Sequence, residues 1–380
     1  MQTTTEVSSM LISSPQTSVA YGAPCYWLRG DRIELFVTAR GGHLGPTSFK
    51  LKHRWVRPLS LPPWQPEDLH PELPVVLQNL RGDFLGLPFG ENHAGPPHGE
   101  PANAEWSLVG QSFRELRLAL DLQSPRGRIE KTLTLGDNER ALYQQHVIEG
   151  VQGRLPLGQH AILEFPEDAP GHVSVAPFAH GQVTPLPFNN PAQGDYGSLQ
   201  PGATFDSLES VPLRDGGTTS LASYPAREGF EDLAMVSSQP EGLGWTAAVL
   251  DGYIFLSLKN LAVLPSTLLW FSNGGRWQAP WQGRHRRRLG LEEVCSYFNG
   301  GIDASRRNPL QEQGIPTVRR FSRREATVVR VAQVVHPVAK DFGAVATVTP
   351  TADKPEVIAA NACGQSVAIP VHWSWVLDSP

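Results

Sequence analysis

Cysteine is scarce in this sequence: Cys25, Cys295 and Cys363 are the only three in 380 residues. They are too few and too scattered for a disulfide framework or a CxxC-type zinc site, so reduced thiols in a cytoplasm are the expectation. Positive charge is not in excess either. The net charge is −5 and the pI about 6.2, which leaves no global field to concentrate a polyanion, and nucleic acid is not an expected partner. Long apolar runs are missing, none approaching the ~20 residues a membrane span needs. Positions 1–18 are rich in Thr, Ser and Gln, with neither a basic start nor an apolar stretch after it. Neither a membrane span nor a signal peptide is expected. Residues 1–20 read as a disordered leader, followed by a single domain over 21–380.

Amphipathic helices capped at both ends are also lacking, and what stands in their place is turn chemistry and alternation. Glycine and proline number 36 and 34, well above average usage. Ile33, Leu35 and Val37 fall on one face of a strand, and Leu116, Leu118, Leu120 and Leu122 on one face of another. Arg128–Leu135, the turn Gly136-Asp137-Asn138-Glu139, and Ala141–Ile148 read as a hairpin. Further β-rich runs lie at Trp245–Leu258, Ala326–Val335, Ala344–Val348 and Val367–Leu377. Two proline-rich stretches, Pro58–Pro74 and Pro185–Pro201, are long enough to be functional loops over a sheet. Many strands with few short helices point to an all-β protein, a large antiparallel sandwich or barrel.

The most informative window runs from Arg81-Gly82-Asp83-Phe84 through Pro88-Phe89-Gly90 to Pro97-His98-Gly99-Glu100 and Asn103-Ala104-Glu105-Trp106. It resembles the galactose mutarotase (aldose 1-epimerase) superfamily, most closely the hexose-6-phosphate mutarotase-like branch. There an Arg-Gly-Gly segment leads to Pro-x-Phe-Gly and then to His-Gly-Phe-x-Arg-Asn-x-x-Trp. Two departures stand out: Asp83 replaces the second glycine, and Pro101–Asn103 replaces the Arg-Asn pair, so a phosphate-specific role is not implied. Leu155-Pro156-Leu157-Gly158-Gln159-His160 is similar to the segment that ends in the family's ring-oxygen histidine, although Ala161-Ile162 follows in place of an aromatic pair. Leu289-Gly290-Leu291-Glu292-Glu293 is similar to the strand that carries its catalytic glutamate.

The resemblance implies a β-supersandwich with its sugar site on the concave surface, and interconversion of sugar anomers with no metal, nucleotide or other cofactor. It implies His160, Glu292 and His98 as the catalytic set. Opening a cyclic hemiacetal needs one group to take the anomeric hydroxyl proton and one to protonate the ring oxygen. A glutamate raised by burial, facing a histidine protonated near neutrality, would meet that need. Glu292 and Glu293 are adjacent, so in a strand only one can enter a cleft; register favours Glu292, with two solvated edge carboxylates as the ordinary reading.

Arg81, Asp232, Trp106, Trp270 and His93 are the candidate substrate-binding residues. Trp277 and Trp281 are further aromatic faces on which a pyranose could stack. The cluster of Glu91, His93, His98 and Glu100 lacks the fixed spacing of a zinc site. Arg284–Arg288 reads as a solvated basic run, and Ser272–Arg276 as a tight turn beside the cleft. A catalytically silent sugar-binding protein on the same scaffold is the alternative, and a carbohydrate lyase or hydrolase ranks last because no spaced carboxylate pair is assignable.

Overall fold

The computed structural model describes residues 17–168 and 170–378. Two large antiparallel sheets organise it. The first has nine strands, in the order Ser223–Tyr224, Gly171–Ala176, Leu243–Leu250, Tyr253–Asn260, Thr327–Pro337, Ala141–Glu149, Arg126–Leu135, Glu115–Gln123 and Ser107–Gln111. The second has seven, in the order Thr204–Phe205, His180–Val183, Phe230–Ser237, Ser266–Asn273, Arg288–Cys295, Leu157–Glu164 and Leu85–Gly86. The expected hairpin is present, with Leu135 opposite Leu142 and Ile129 opposite Ile148.

Alternation fills the space between the sheets. Leu163, Val236, Leu269 and Leu291 from the seven-stranded sheet pack with Leu133, Phe255, Val329 and Val331 from the other. Along the central strands of that sheet the remaining residues are buried as well. Ile162, Leu233, Leu268, Trp270 and Val294 form a second cluster under the loops that cross the outer face, joined by Trp64, Phe84, Trp281 and Phe298. A sheet covered on both faces therefore reads as continuous burial, as along Ser266–Asn273 and Arg288–Cys295. Part of the outer face of the nine-stranded sheet, over Leu243–Leu250, Tyr253–Asn260 and Thr327–Pro337, is covered by a three-stranded sheet, Val345–Pro350, Glu356–Asn361 and Ser366–Pro370.

Two expectations need correcting. Thr17–Ala20 forms a strand paired with Ala23–Arg29, so the last part of the proposed leader belongs to the fold, while residues 1–16 lie outside the described residues. The run Val367–Leu377 is only half strand. Beyond Pro370, which pairs with Glu356, the chain has no ladder partner and Trp373–Leu377 closes into a short helix. That helix buries Val376 and sets Trp375 against Tyr143 and Arg330. No helix among the described residues is long and apolar enough to cross a membrane.

Buried polar groups tie the two sheets together. Asp83 accepts hydrogen bonds from Gln144 and Gln333 of the nine-stranded sheet (both 2.6 Å) and from Gln159 of the seven-stranded sheet (2.8 Å). Burial outweighs these bonds and pushes its carboxyl up to about 6. A glycine precedes Asp83 because a Cβ at Gly82 (φ +54°) would stand 1.4 Å from the Leu44 carbonyl oxygen. The second tie is an ion pair, Lys259 Nζ to Glu293 Oε2 at 2.6 Å, with the Thr267 hydroxyl donating to the same oxygen at 2.9 Å. Glu293 is thus neither solvated nor at an edge.

Removing one partner of a buried pair strands the other charge, at a typical cost of about 3–5 kcal/mol. Glu293→Gln should therefore lower unfolding stability by about that much in urea titrations, and adding Lys259→Met should recover most of the loss. Equal stability of Glu293→Gln and wild type would show that the pair is not structural.

Candidate active site

Strand register builds the centre of the site. His160 and Glu292 are direct partners across the neighbouring strands Leu157–Glu164 and Arg288–Cys295, and Gln159 opposes Glu293 one step along. Because side chains alternate, the first pair points to the outer face and the second into the space between the sheets. The His160 Nε2 to Glu292 Oε1 distance is 3.4 Å, and both side chains are nearly inaccessible. Of the two adjacent glutamates, Glu292 is the one beside the histidine.

His98 arrives from the loop after Phe89. Its own φ of +60° and that of Gly99 (+71°) turn the chain back over the sheet, and a Cβ on Gly99 would meet the Leu87 carbonyl oxygen at 2.1 Å. The Gly90 N–H donates to His98 Nδ1 at 3.3 Å, which leaves Nε2 as the protonated, donating nitrogen. The His98 and His160 rings lie 5.1 Å apart, and Phe84 stacks between His160 (4.5 Å) and His43 (4.3 Å).

These residues line a cleft of about 130 Å³ whose other walls include Leu80, Phe188, Leu268, Trp270, Trp281, Asn299 and Arg276. Trp270 presents its edge to His160 at 5.9 Å. Arg276 is held over three aromatic rings, Phe188 (5.0 Å), Trp281 (5.1 Å) and Trp270 (5.7 Å), with its Nε on Asp195 at 3.3 Å. Sequence reasoning placed Arg276 only in a turn. Its position is a matter of loop packing, for which spacing along the chain carries no signal.

The substrate-binding candidates separate. Trp270 is in the cleft, its indole N–H donating to Glu231 at 2.9 Å. Arg81 is fully buried elsewhere and spends its donors on the carbonyls of Asn79, Ala20 and Tyr21. Trp106 is a core residue bonded to the Pro101 carbonyl, and His93 is exposed on its loop. Asp232 faces away from the acid–base pair, toward an adjoining depression. There it accepts from the Ser198 and Leu199 amides, the Ser198 hydroxyl and Arg227, and so pins the 195–200 loop. The acid on the cleft side of that strand is its neighbour Glu231, which braces Trp270 and Ser272. Trp281 walls the cleft, whereas Trp277 is exposed. The carboxylate of Glu100 is occupied by the amides of Gln123 and Ser124, not by a histidine.

Burial dominates the electrostatics. It holds Glu292 well above the usual carboxyl range, and it holds His160 well below the usual imidazole range, helped by His98 and His43. His98 falls to about 4 for the same reason. Both shifts run toward the neutral forms, away from the expected histidine protonated near neutrality: burial favours the proton on the Glu292 carboxyl and a free lone pair on the His160 imidazole.

No family model matches the chain, and no curated protein does. Solved structures do. A protein of Escherichia coli K12 provisionally assigned as an aldose 1-epimerase matches with a TM-score of 0.56 at 13% identity, over 83% of this chain and 99% of that one. A galactose mutarotase related enzyme of Lactobacillus acidophilus matches with 0.51 at 10% identity, over 83% and 98%. A galactose mutarotase-like protein of Lactobacillus casei matches with 0.53 at 11%, over 82% and 100%. The chain has the galactose mutarotase-like fold.

Seven histidines, His43, His98, His146, His160, His180, His285 and His336, are depressed by burial, so below about 6.5 the unfolded chain binds their protons first and stability falls with pH. Four carboxyls raised by burial, Asp83, Glu139, Glu231 and Glu292, act oppositely, since the folded chain is the one that binds their protons. The histidines outnumber them, so the urea midpoint should be lower at pH 5 than at pH 7. A midpoint that rises on acidification would reverse this account.

Proposed function

We propose that the protein interconverts the anomers of an aldose or close sugar derivative by acid–base opening and closing of the ring. The observation that carries the reading is the His160–Glu292 pair, set face to face by strand register in a cleft with an aromatic wall. Fold likeness alone would not support it, because one fold hosts many functions.

With burial drawing both groups toward their neutral forms, the first step follows. Neutral His160 accepts the anomeric hydroxyl proton while the Glu292 carboxyl protonates the ring oxygen, which converts a neutral pair into an imidazolium and a carboxylate only 3.4 Å apart. Their attraction, between side chains nearly shut off from solvent, stabilises that charge-separated state. After rotation about C1–C2 the two groups exchange roles and the ring closes on either face. In ring closure Glu292 takes the proton back from the former ring oxygen's hydroxyl and His160 protonates the carbonyl oxygen, so the two groups exchange the atoms that the sequence resemblance assigned them, where the histidine serves the ring oxygen. The His98 Nε2–H and the free nitrogens of Arg276 supply donors for substrate oxygens, and Trp270 and Trp281 supply apolar faces for a pyranose.

The second reading is a silent sugar-binding protein. It is favoured by the departures beside the two histidines: Pro101–Asn103 stands where the family pattern has an Arg-Asn pair after His98-Gly99, and Ala161-Ile162 where it has an aromatic pair after His160.

Saturation-transfer NMR across aldoses, uronates and aldose phosphates separates the readings. Glu292→Gln keeps the shape of the side chain but removes its proton exchange, so anomer exchange should fall ~10²–10⁴-fold while binding persists, and His160→Asn should do likewise. Chelators should leave exchange unchanged, since proton transfer alone serves the reaction. Wild-type binding without exchange would establish the silent reading instead.

A further inference from the structure

A pronounced imbalance of charge lies away from the cleft. Residues 306–324 carry six arginines and one acid, Glu312, a local net charge of +5 on a chain whose total is −5. The fold gathers part of this run onto a small two-stranded ladder. Gly153–Leu155 pairs with Arg319–Phe321, and the register puts Arg154 directly opposite Arg320. Directly opposed cross-strand residues project to the same side with Cβ atoms about 5 Å apart, where like charges destabilise the pairing. Arg306 adds to the cluster by donating from Nε to the Arg154 carbonyl at 3.1 Å, and the turn after Phe321 contributes Arg323 and Arg324.

Together Arg154, Arg320, Arg323 and Arg324 line a depression of about 680 Å³ with no carboxylate in its wall. Elsewhere arginines are commonly paired, for example Arg286 with Glu228 and Arg287 with Glu167. Among the described residues none of these four, nor Arg306, takes part in an ion pair.

We propose that this depression is a binding site for a compact polyphosphate-type anion, with the arginines of the Arg154–Arg320 ladder and the following turn as its ligands. Planar guanidinium forks donate paired N–H groups to phosphate oxygens, and several forks converging on one hollow suit a multiply charged group better than a lone carboxylate. The occupant is compact for two reasons. The chain outside this run carries a net −10, which repels an extended polyanion. The one aromatic in the wall, Phe321, is buried and offers no face on which a nucleobase could stack.

The test is calorimetric titration of the full chain with sodium tripolyphosphate, alongside thermal unfolding with and without it. Wild type should bind saturably, more weakly as salt is added, and unfold at a higher temperature when bound. The double variant Arg154→Gln, Arg320→Gln should lose at least tenfold in affinity, and Arg324→Glu should do likewise. Arg29→Gln, an exposed arginine beside Glu34, should lose none.

Without tripolyphosphate, Arg320→Gln should unfold at a temperature no lower than wild type, because it relieves the repulsion. A merely structural arginine would give the opposite order. The proposal is overturned if tripolyphosphate fails to bind wild type, if the double variant binds equally well, or if sulfate competes at equal concentration. Tighter binding of a 20-nucleotide single strand than of tripolyphosphate would also overturn it, since the site would then serve nucleic acid.

Discussion

The alternation of side chains along two neighbouring strands is the constraint on which the site depends. One step of sequence separates Gln159 from His160 and Glu292 from Glu293, and that step decides which side of the sheet each occupies. A slip of one residue in either strand would send an acid–base group into the interior and a core residue into the cleft. The register is anchored on both faces. The inner residues Gln159 and Glu293 bond across to the nine-stranded sheet, through Asp83 and Lys259 respectively, so the position of the outer pair is enforced from behind.

The two glutamates also show how environment sets protonation. Both are buried. Glu293 has an ammonium at 2.6 Å, whereas Glu292 faces an imidazole and apolar walls, and burial drives it toward the neutral acid. The inner carboxylate supports the fold because its charge is answered. The outer one is suited to proton transfer because its charge is not. Glu231 occupies a middle position, raised to about 7 by burial yet bonded to Trp270 and Ser272, and it braces the aromatic wall.

The fold was legible where one face of a strand packs against the core, as with Ile33, Leu35 and Val37, since alternation then appears in the letters themselves. It was less legible at Val367–Leu377, whose apolar composition suits a strand or a short helix and where loss of the ladder partner decides. In the site, short ordered motifs identified His98, His160 and Glu292, which the structure brings together with Trp270. The same motifs led to Arg81 and Trp106, which are buried away from the cleft, because a motif specifies residue type and order but not the direction of a side chain; Asp232 and His93, chosen outside the motifs, do not reach it either. Asp232 and Glu231 differ by one position, and only the paired strand Ser266–Asn273 shows that Glu231 turns toward Trp270. Arg276 had no sequence signal, because packing over three rings from separate segments places it.

The pairing of His160 with Glu292 has a kinetic side. These residues are roughly 130 positions apart, and their strands are hydrogen-bonded neighbours toward one end of the seven-stranded sheet. Closing so long a loop costs entropy before any contact repays it. During synthesis from the N-terminus, the half of the cleft carrying His98 and His160 must wait for the strand carrying Glu292 to leave the ribosome. The apolar residues around Ile162 stay uncovered until then. The pairing of His160 with Glu292 therefore comes late in synthesis, and a nascent chain stalled before residue 288 would hold the histidines without their acid.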